Sequence, residues 1–331
     1  MHQIAEQLPD YDCWFSQIFT DSKFLKLIIK HTAIAESTIM AGQFRRRSEE
    51  YLANHNLQID FGAKLNQYDL VVYCSDLIIA DSLRKYKIVW VQEGMIDKLT
   101  GWSKVVQGLR LPAYLAGNTS LNGSGNSCDI YCAASDGYKN YFTSMGTESE
   151  RIFATGMPNY DNCSQYLDND FPYRDYVMVA TTDMRETYRN EDRPAFIRKA
   201  VEIAGGRPIL FKLHPNENFE RAQAEIREHA PEGTLVFQNG NTNHMIANCI
   251  ELITQYSTVV YTGLALGKKV HSYFKLDELK RLAPLQNGGT SARNIANICR
   301  AYVEFEGQRD DFLKQYLYRA EEENILEELY A

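Results

Sequence analysis

The fold of this chain is decided by two segments, Ile209-Leu-Phe-Lys-Leu-His-Pro-Asn-Glu217 and Ile253-Thr-Gln-Tyr-Ser-Thr-Val-Val-Tyr-Thr-Gly-Leu-Ala-Leu-Gly-Lys-Lys-Val270. Each predicts a buried strand that ends in polar residues and leads into a helix. In a parallel α/β sheet, ligands bind at the carboxyl ends of the strands. Two such ends in successive units of one domain therefore predict a pocket for an anionic ligand, most simply a nucleotide phosphate.

The bulk properties bound the class of protein. The chain has 331 residues, more than one hydrophobic core usually spans, so two domains are expected. Its net charge of −8 argues against a nucleic-acid-binding protein, which would carry a basic patch. No apolar run is long enough for a transmembrane helix, and the start lacks a signal-peptide pattern, so we expect a cytoplasmic location. The seven cysteines are scattered without a zinc pattern, so reduced thiols and no metal are expected.

The hydrophobic pattern predicts an alternation of strands and helices. Strands are predicted at 70–74, 88–92, 130–134, 152–155, 176–180, 208–213, 234–237, 251–254 and 269–273. Helices are predicted at 137–146, 193–204, 217–228, 244–248 and 257–266, and residues from 10 to about 55 are predicted to be mainly helical, with apolar residues at 24–29 and an amphipathic stretch at 45–52. This alternation indicates an α/β fold with two Rossmann-like, doubly wound domains that face a cleft. The irregular stretch from 156 to about 175 places the domains at 1–160 and 161–331.

The first candidate group surrounds His214. It follows a strand and precedes Pro215, a residue that fits the first turn of a helix, whose N–H groups attract anions. A histidine there can donate to a phosphate oxygen or protonate a leaving group. Lys212 points the same way along the strand, and Asn216 completes the motif. The alternatives are a histidine that ends a strand without a ligand and a solvated lysine.

The second group follows the strand at 251–254. Ser257 and Thr258 are expected at the start of a helix, where their hydroxyls either bind phosphate or cap the helix without any ligand. Gln255 is placed to reach the base or the sugar. Thr262 and Gly263 permit either close helix packing or approach to the ligand.

Further candidates end other strands. Thr181, which begins a Thr-Thr-Asp sequence near Arg185, is a second phosphate contact or part of a solvated loop. Gly156 and Pro158 fix a turn where the chain leaves the first domain, and Asn159 is expected to line the cleft.

From about residue 68 to 275 the chain resembles the GT-B-type proteins, which include many nucleotide-sugar glycosyltransferases and the UDP-N-acetylglucosamine 2-epimerases. The sequence Lys212-Leu-His-Pro-Asn216 resembles the histidine-proline motif of these epimerases and of bacterial sialyl- and Kdo-transferases. Gln255-Tyr-Ser-Thr258, with Leu266-Gly-Lys-Lys-Val270, resembles the serine motif of sialyl-, Kdo- and glycerophosphotransferases. The runs 129–136 and 145–161 resemble the end of the family's first domain.

The chain also departs from this pattern. Thr262 and Gly263 stand where the epimerases carry paired acidic residues, and the opening strand and glycine-rich loop of the first domain are missing. The resemblance therefore favours a glycosyltransferase over a 2-epimerase. A polyol-phosphate transferase of the teichoic-acid type usually pairs its motifs with a His-Gly segment, where this chain has Glu93 and Gly94. A non-catalytic binding protein is the remaining alternative.

For a transferase, the resemblance implies a metal-independent reaction between a nucleotide-sugar donor and a glycan or lipid-linked acceptor, in bacterial surface polysaccharide synthesis. The donor nucleotide would bind in the second domain, and the acceptor would enter from the first. Glu93, like a Glu-Ala-Gly segment of the epimerases, would take the proton of the acceptor hydroxyl, with Asp97 and Asp136 as weaker candidates. Gly94 is expected in a turn. Peripheral membrane contact and a homodimer remain open.

Overall fold

The computed structural model describes residues 1–23, 25–26, 42–186 and 190–316. The chain divides into two compact units. Unit 1 comprises Met1–Pro158 together with Thr290 and the described residues after it, and unit 2 comprises Asn159–Gly289. All nine predicted strands are present, with ends that differ by at most two residues.

Unit 1 contains a parallel sheet whose four strands lie in sequence order. They are β1 (Leu70–Tyr73), β2 (Lys87–Val91), β3 (Ile130–Ala133) and β4 (Ile152–Ala154). Helices in the described part of Met1–Pro158 are α1 (His2–Ala5), α2 (Gly42–Asn54), α3 (Gly101–Gly108) and α4 (Asp136–Ser144). The middle strands β2 and β3 are almost entirely buried, as expected of parallel strands covered on both faces.

The prediction that residues from 10 to about 55 are mainly helical is wrong in its first part. Residues 10–20 are irregular, because Phe15 instead pairs its backbone with Gln58 and Asp60 across the unit. Helix α2 confirms the amphipathic stretch at 45–52. Of the apolar residues predicted to pack at 24–29, Leu25 alone lies within the described residues.

Unit 2 contains a five-stranded parallel sheet in the order β7-β6-β5-β8-β9. The strands are β5 (Val177–Ala180), β6 (Ile209–Lys212), β7 (Leu235–Phe237), β8 (Glu251–Thr254) and β9 (Lys269–His271). The helices are α5 (Arg193–Ala204), α6 (Phe219–His229), α7 (Thr242–Asn248), α8 (Val259–Ala265) and α9 (Leu276–Leu282). The chain runs outward from β5 to β7 and then returns to β8 beside β5. The topological switch point, where doubly wound sheets bind ligands, is therefore between β5 and β8.

The two faces of this sheet carry separate cores. Val177, Val179 and Phe211 pack with α5 and α6 on one face. Met178 and Leu210 pack with α7 on the other. Because side chains alternate along a strand, adjacent residues of one apolar run fill both cores.

Glu251 begins β8 and is buried beneath three basic side chains. Its carboxylate lies 2.6 Å from Lys269 Nζ, 2.5 Å from His271 Nε2 and 2.7 Å from Arg207 Nη1. Burial raises the pKa of Glu251, but the hydrogen bonds from Lys269, His271 and Arg207 outweigh it and lower the pKa to about 2.

The described residues after Gly289 belong to unit 1, whereas the sequence prediction placed them in the second domain, 161–331. Helix α10 (Ser291–Glu304) buries one face, including Ile295 and Cys299, against Val89 and Ile130 of the first sheet. Lys87 Nζ donates to the carbonyls of Tyr302, Val303 and Phe305 at 2.7, 3.2 and 2.9 Å and so caps the end of this helix.

Among the described residues, no helix has the length and apolar character needed to cross a membrane.

Candidate phosphate site at the strand ends of unit 2

Three strand ends of unit 2 lie side by side at the topological switch point. Ala180 of β5 pairs with Lys212 of β6 on one side and with Thr254 of β8 on the other. The residues that follow are joined directly: Thr182 Oγ1 donates to Gln255 Oε1 at 2.9 Å, and the His214 amide donates to Thr181 Oγ1 at 3.3 Å. The structure thus brings together three of the predicted site residues, Thr181, His214 and Gln255.

His214 opens a tight turn rather than a helix. The Glu217 amide donates to the His214 carbonyl at 3.0 Å, and Pro215 lies exposed within the turn. The expectation that Pro215 begins a helix is therefore wrong. Helix α6 begins one turn later because Asn218 caps it, its side chain accepting from the Arg221 amide at 2.9 Å.

The His214 ring is oriented by two neighbours. Its Nδ1 lies 3.2 Å from the Asn216 amide, which donates to it, and 3.5 Å from Asp183 Oδ2. Asp183 Oδ2 also accepts from Asn216 Nδ2 at 2.9 Å. In the tautomer in which Nδ1 accepts the Asn216 hydrogen bond, the ring proton lies on Nε2. Since the side chain is 37% exposed, this Nε2–H is a donor available to a ligand.

A buried ion pair between Glu217 and Arg193 supports the His214 turn. The Glu217 carboxylate accepts from the His214 amide at 2.8 Å, from the Thr181 hydroxyl and from Arg193 Nη2 at 2.6 Å. Arg193 also donates to the Thr182 carbonyl at 3.0 Å, which ties the start of α5 to the end of β5. Both side chains are almost fully buried.

Sequence reasoning missed this pair. A carboxylate three residues after His214 can reach back to its amide, as in a capping box, so Glu217 carried a local signal. Arg193 carried none, because its contact with Glu217 is made only in the folded sheet.

Arg185, considered above as a neighbour of the phosphate, is held by carboxylates. Its Nη1 and Nη2 donate to both oxygens of Glu225 at 2.7 and 2.9 Å, and Nε lies 3.3 Å from Glu191. The hydrogen bond with Glu225 raises the pKa of Arg185, and the same bond lowers the pKa of Glu225. This pairing accounts for Arg185 without a ligand.

Ser257 and Thr258 have different surroundings. The N-cap of α8 is Thr258, not Ser257 as predicted, and its side chain makes no capping hydrogen bond. Instead the Thr258 hydroxyl bonds to the half-buried Tyr160, whose pKa desolvation raises to about 12. Ser257 is half-buried, and its hydroxyl has no hydrogen-bond partner in the part of the chain that the structure describes.

Thr262 and Gly263 lie inside the fold. Thr262 is fully buried, with Oγ1 3.3 Å from Asn243 Oδ1. A Cβ at Gly263 would come within 2.7 Å of Leu252 Cδ2 and 3.1 Å of Val270 Cγ2. Of the two interpretations given above, this geometry supports helix packing rather than approach to a ligand.

Lys212 is also turned inward. Its Nζ donates to the carbonyls of Leu213 at 2.9 Å and Gln238 at 2.8 Å, and so joins the end of β6 to the loop after β7. Burial lowers the pKa of this lysine. These contacts support a structural role for Lys212 rather than the predicted contact with phosphate.

In unit 1, Glu93 is the second residue after β2 and is half exposed, with Oε1 3.9 Å from the α-amino nitrogen of Met1. The preceding residue, Gln92, is buried, and no role was predicted for it from the sequence. Its Nε2 donates to the Gly94 carbonyl at 2.9 Å, and its Oε1 accepts from the Ala134 amide at 2.9 Å. Gln92 thereby fixes the bend that presents Glu93.

Asp76, which follows β1, was also missed. Its carboxyl accepts from the Gly123 amide at 2.7 Å and from the Tyr131 hydroxyl at 3.3 Å. Burial raises the pKa of Asp76 to about 6. A carboxyl group that titrates near neutral pH is suited to acid–base chemistry, although the two hydrogen bonds also brace the loop.

The predicted turn at the end of unit 1 begins at Gly156, whose φ of +85° favours glycine. The division between the units falls between Pro158 and Asn159, next to the boundary predicted at 160. Asn159 is exposed. Its predicted contact with a ligand stays a prediction.

Among the described residues, no group of three or more His, Cys, Asp or Glu side chains is arranged to hold a metal ion.

No model of a known protein family matches the chain, and no curated protein matches it.

Solved structures are similar to it in fold. A putative UDP-N-acetylglucosamine 2-epimerase from Listeria monocytogenes is 14% identical, with 92% of each chain covered and a TM-score of 0.56. The UDP-GlcNAc 2-epimerase from Neisseria meningitidis bound to UDP-GlcNAc is 13% identical, with 78% of this chain and 90% of that chain covered and a TM-score of 0.51. S. aureus MnaA with UDP is 13% identical, with 92% and 84% covered and a TM-score of 0.50.

At this level of identity the likeness concerns the fold alone. It confirms the predicted fold class: the chain is a GT-B-like α/β protein with parallel sheets of four and five strands, similar to structures of UDP-GlcNAc 2-epimerases.

Proposed function

We propose that this chain is an enzyme that uses a nucleotide-activated sugar, and that unit 2 binds the diphosphate of this donor. The observation that carries the proposal is the His214 turn at the switch point, where a supported imidazole leaves its Nε2–H available. The Ser257 hydroxyl, after the neighbouring β8, is the second proposed donor. The similar structures that hold UDP-GlcNAc or UDP make a uridine nucleotide the first candidate.

The reaction that we propose is glycosyl transfer to a glycan or lipid-linked acceptor. The acceptor hydroxyl attacks the anomeric carbon, and the bond from this carbon to the diphosphate oxygen breaks. His214 stabilises the departing phosphate by a hydrogen bond, and Glu93 is the candidate base that takes the hydroxyl proton.

Binding is tested by thermal shift against UDP, CDP, CMP, GDP, TDP and their common sugars, with and without EDTA. A ligand at about 100 times its Kd stabilises the folded state by roughly 2.7 kcal/mol, which shifts the melting temperature by several degrees. The shift should appear with one nucleotide, persist in EDTA, and be lost in His214→Ala. The matched control is His229→Ala, at the opposite end of α6.

An equal shift in His214→Ala and His229→Ala would refute the phosphate site. No shift with any nucleotide would refute the use of a nucleotide sugar. A shift with CDP-glycerol instead would indicate a polyol-phosphate transferase.

Catalysis is tested with Glu93→Gln, by following UDP release from the donor with a panel of sugar acceptors. Loss of the base should lower kcat by at least about 100-fold while the Kd for UDP stays unchanged. An unchanged kcat would remove Glu93 from the mechanism.

A 2-epimerase is the second candidate, because Asp76 offers a buried carboxyl with a pKa of about 6, as acid–base catalysis at a sugar carbon requires. Epimerisation at C2 removes and returns the C2 proton, whereas transfer leaves it in place. Incubation with UDP-GlcNAc in D2O distinguishes the two. Deuterium at C2 without an acceptor indicates the epimerase, and acceptor-dependent UDP release without deuterium indicates the transferase.

A further inference from the structure

Helix α3 in unit 1 is apolar on both of its faces. Its inward face carries the buried Val106, which packs with Ala116 and Leu121. Its outward face carries Trp102, Val105 and the C-cap residue Leu109, at helical spacings of three and four residues. Exposed apolar side chains that are grouped on one face normally mark a contact surface. The outward face nevertheless remains exposed, with relative exposures of 56%, 43% and 67% for these residues.

The apolar surface continues beyond the helix. Leu111 and Leu115 are also exposed, and Trp102 Nε1 donates to the Leu115 carbonyl at 2.8 Å, which holds this segment beside α3. Five of the 15 exposed large apolar side chains in the described part of the chain therefore fall between positions 102 and 115. We call Trp102, Val105, Leu109, Leu111 and Leu115 the α3 surface.

The charge of the segment that carries the α3 surface is opposite to that of the chain. The net charge is −8, yet residues 98–128 contain no Asp or Glu and three cations, the exposed Lys98, Lys104 and Arg110. The nearest preceding acid, Asp97, has a carboxylate that accepts from the Thr119 amide at 3.0 Å and from its hydroxyl at 2.8 Å. Cations are thus interleaved with exposed apolar side chains, without an acidic residue in the same segment.

We propose that the α3 surface docks on an anionic lipid bilayer. An interfacial helix buries apolar side chains at the headgroup boundary while its cations meet anionic lipids, and tryptophan prefers this boundary. A two-fold contact between copies would set the same cations of both chains against each other, so charge favours the membrane over a second copy. This inference rests on exposure and charge alone, and it holds whether or not the chain uses a nucleotide sugar.

The test is co-sedimentation of the full chain with sucrose-loaded vesicles of phosphatidylcholine, with and without about 30% phosphatidylglycerol. Binding should require the anionic lipid and weaken as salt rises, because the Debye length shortens to about 3 Å at 1 M. Each cation near an anionic surface contributes about fivefold to binding. Lys104→Gln/Arg110→Gln should therefore lower the partition coefficient about 25-fold.

The apolar contribution is tested by Val105→Ser/Leu109→Ser, which should abolish sedimentation with the vesicles. Leu65→Ser, which changes an exposed leucine elsewhere in unit 1, should leave binding unchanged. All these positions are exposed, so circular dichroism and melting temperature should match the wild type. Tryptophan emission should shift to the blue on binding, and Trp102→Phe should remove this shift.

Three outcomes would overturn the proposal. The first is no binding to anionic vesicles, and the second is equal binding with and without phosphatidylglycerol. The third is a concentration-dependent dimer in analytical ultracentrifugation that Val105→Ser/Leu109→Ser dissociates, in a chain that does not sediment with vesicles. That result would assign the α3 surface to a second copy.

Discussion

Replacing Glu217 by Gln should loosen the His214 turn while leaving the shape of the side chain unchanged. The carboxylate accepts three hydrogen bonds, from the His214 amide, the Thr181 hydroxyl and Arg193. An amide has only one acceptor oxygen, and its NH2 group would face the N–H or O–H donors that bond to the second oxygen of the carboxylate. At least one buried donor is then left without a partner, and the Arg193 guanidinium keeps only one of its two carboxylate partners, Glu191, whose Oε1 lies 2.9 Å from Arg193 Nε.

The expected magnitude follows from the burial of the pair. Removing one partner of a buried ion pair typically costs about 3–5 kcal/mol, and the lower end applies here because Glu191 still pairs with Arg193. A local loss of about 3 kcal/mol corresponds to a roughly 150-fold rise in the rate of hydrogen exchange by local opening. Since whole proteins are stable by only about 5–15 kcal/mol, this is a large fraction of the total.

The assay must report on unit 2. Tryptophan fluorescence does not, because Trp14, Trp90 and Trp102 all belong to unit 1. Hydrogen exchange followed by mass spectrometry, on the peptide that contains β6 and the His214 turn, reads the local stability directly. The matched control is Glu220→Gln, which removes the same charge from an exposed site in the first turn of α6. Exchange of this peptide within threefold of the wild type in Glu217→Gln would show that the pair does not support the turn.

Three further changes have defined outcomes. Burial raises the pKa of Asp76 to about 6, so the stability contributed by its neutral carboxyl is full below pH 4 and is lost as pH rises through 6. Asp76→Asn stays neutral at every pH and should therefore be more stable than the wild type by up to about 3 kcal/mol at pH 7.5, with no difference at pH 4. Urea titrations followed by tryptophan fluorescence measure this difference. Glu251 behaves oppositely, because its pKa is lowered to about 2. The stability contributed by its carboxylate is present above pH 4.5 and is lost as pH falls through 2. In melts followed by circular dichroism, Glu251→Gln should therefore be destabilised by up to about 3 kcal/mol at pH 7 and equal to the wild type near pH 2. Ser257→Ala should keep the melting temperature of the free protein. It should weaken UDP binding about tenfold, as measured by calorimetry, because one hydrogen bond to a charged group is lost. An unchanged Kd would exclude this hydroxyl from the site.

The strands were predictable because each is a short apolar run bounded by polar residues. Strand β8 has the predicted ends, and helix α5 begins and ends where its pattern indicates. Local chemistry also accounts for the end of α4 at Ser144, two residues before Gly146, whose φ of +107° suits glycine. These features depend on neighbours in sequence, and such neighbours are visible in a single chain.

The errors arise where distant residues compete with local preference. Residues 10–20 carry an apolar pattern, but the pairing of Phe15 with Gln58 and Asp60 makes them irregular. Helix α10 is amphipathic, and its pattern shows that it has a buried face without showing which sheet covers that face. The inward turn of Lys212 likewise depends on the Gln238 carbonyl, which belongs to the loop after another strand.

The hydrogen bonds in the structure reduce the number of candidate site residues. Strand ends in a parallel sheet collect polar residues, both to satisfy the backbone and to bind ligands, and sequence alone cannot separate these uses. The structure separates them by the hydrogen bonds already made. The Thr181 hydroxyl donates its hydrogen bond to Glu217, and Lys212 donates to backbone carbonyls. His214 Nε2 and the Ser257 hydroxyl make no such hydrogen bond among the described residues and can therefore donate to a ligand. A ligand that carries negative charge would supply the acceptor that each of these donors lacks, and for this reason these two residues, rather than the longer list of polar neighbours, carry the functional proposal.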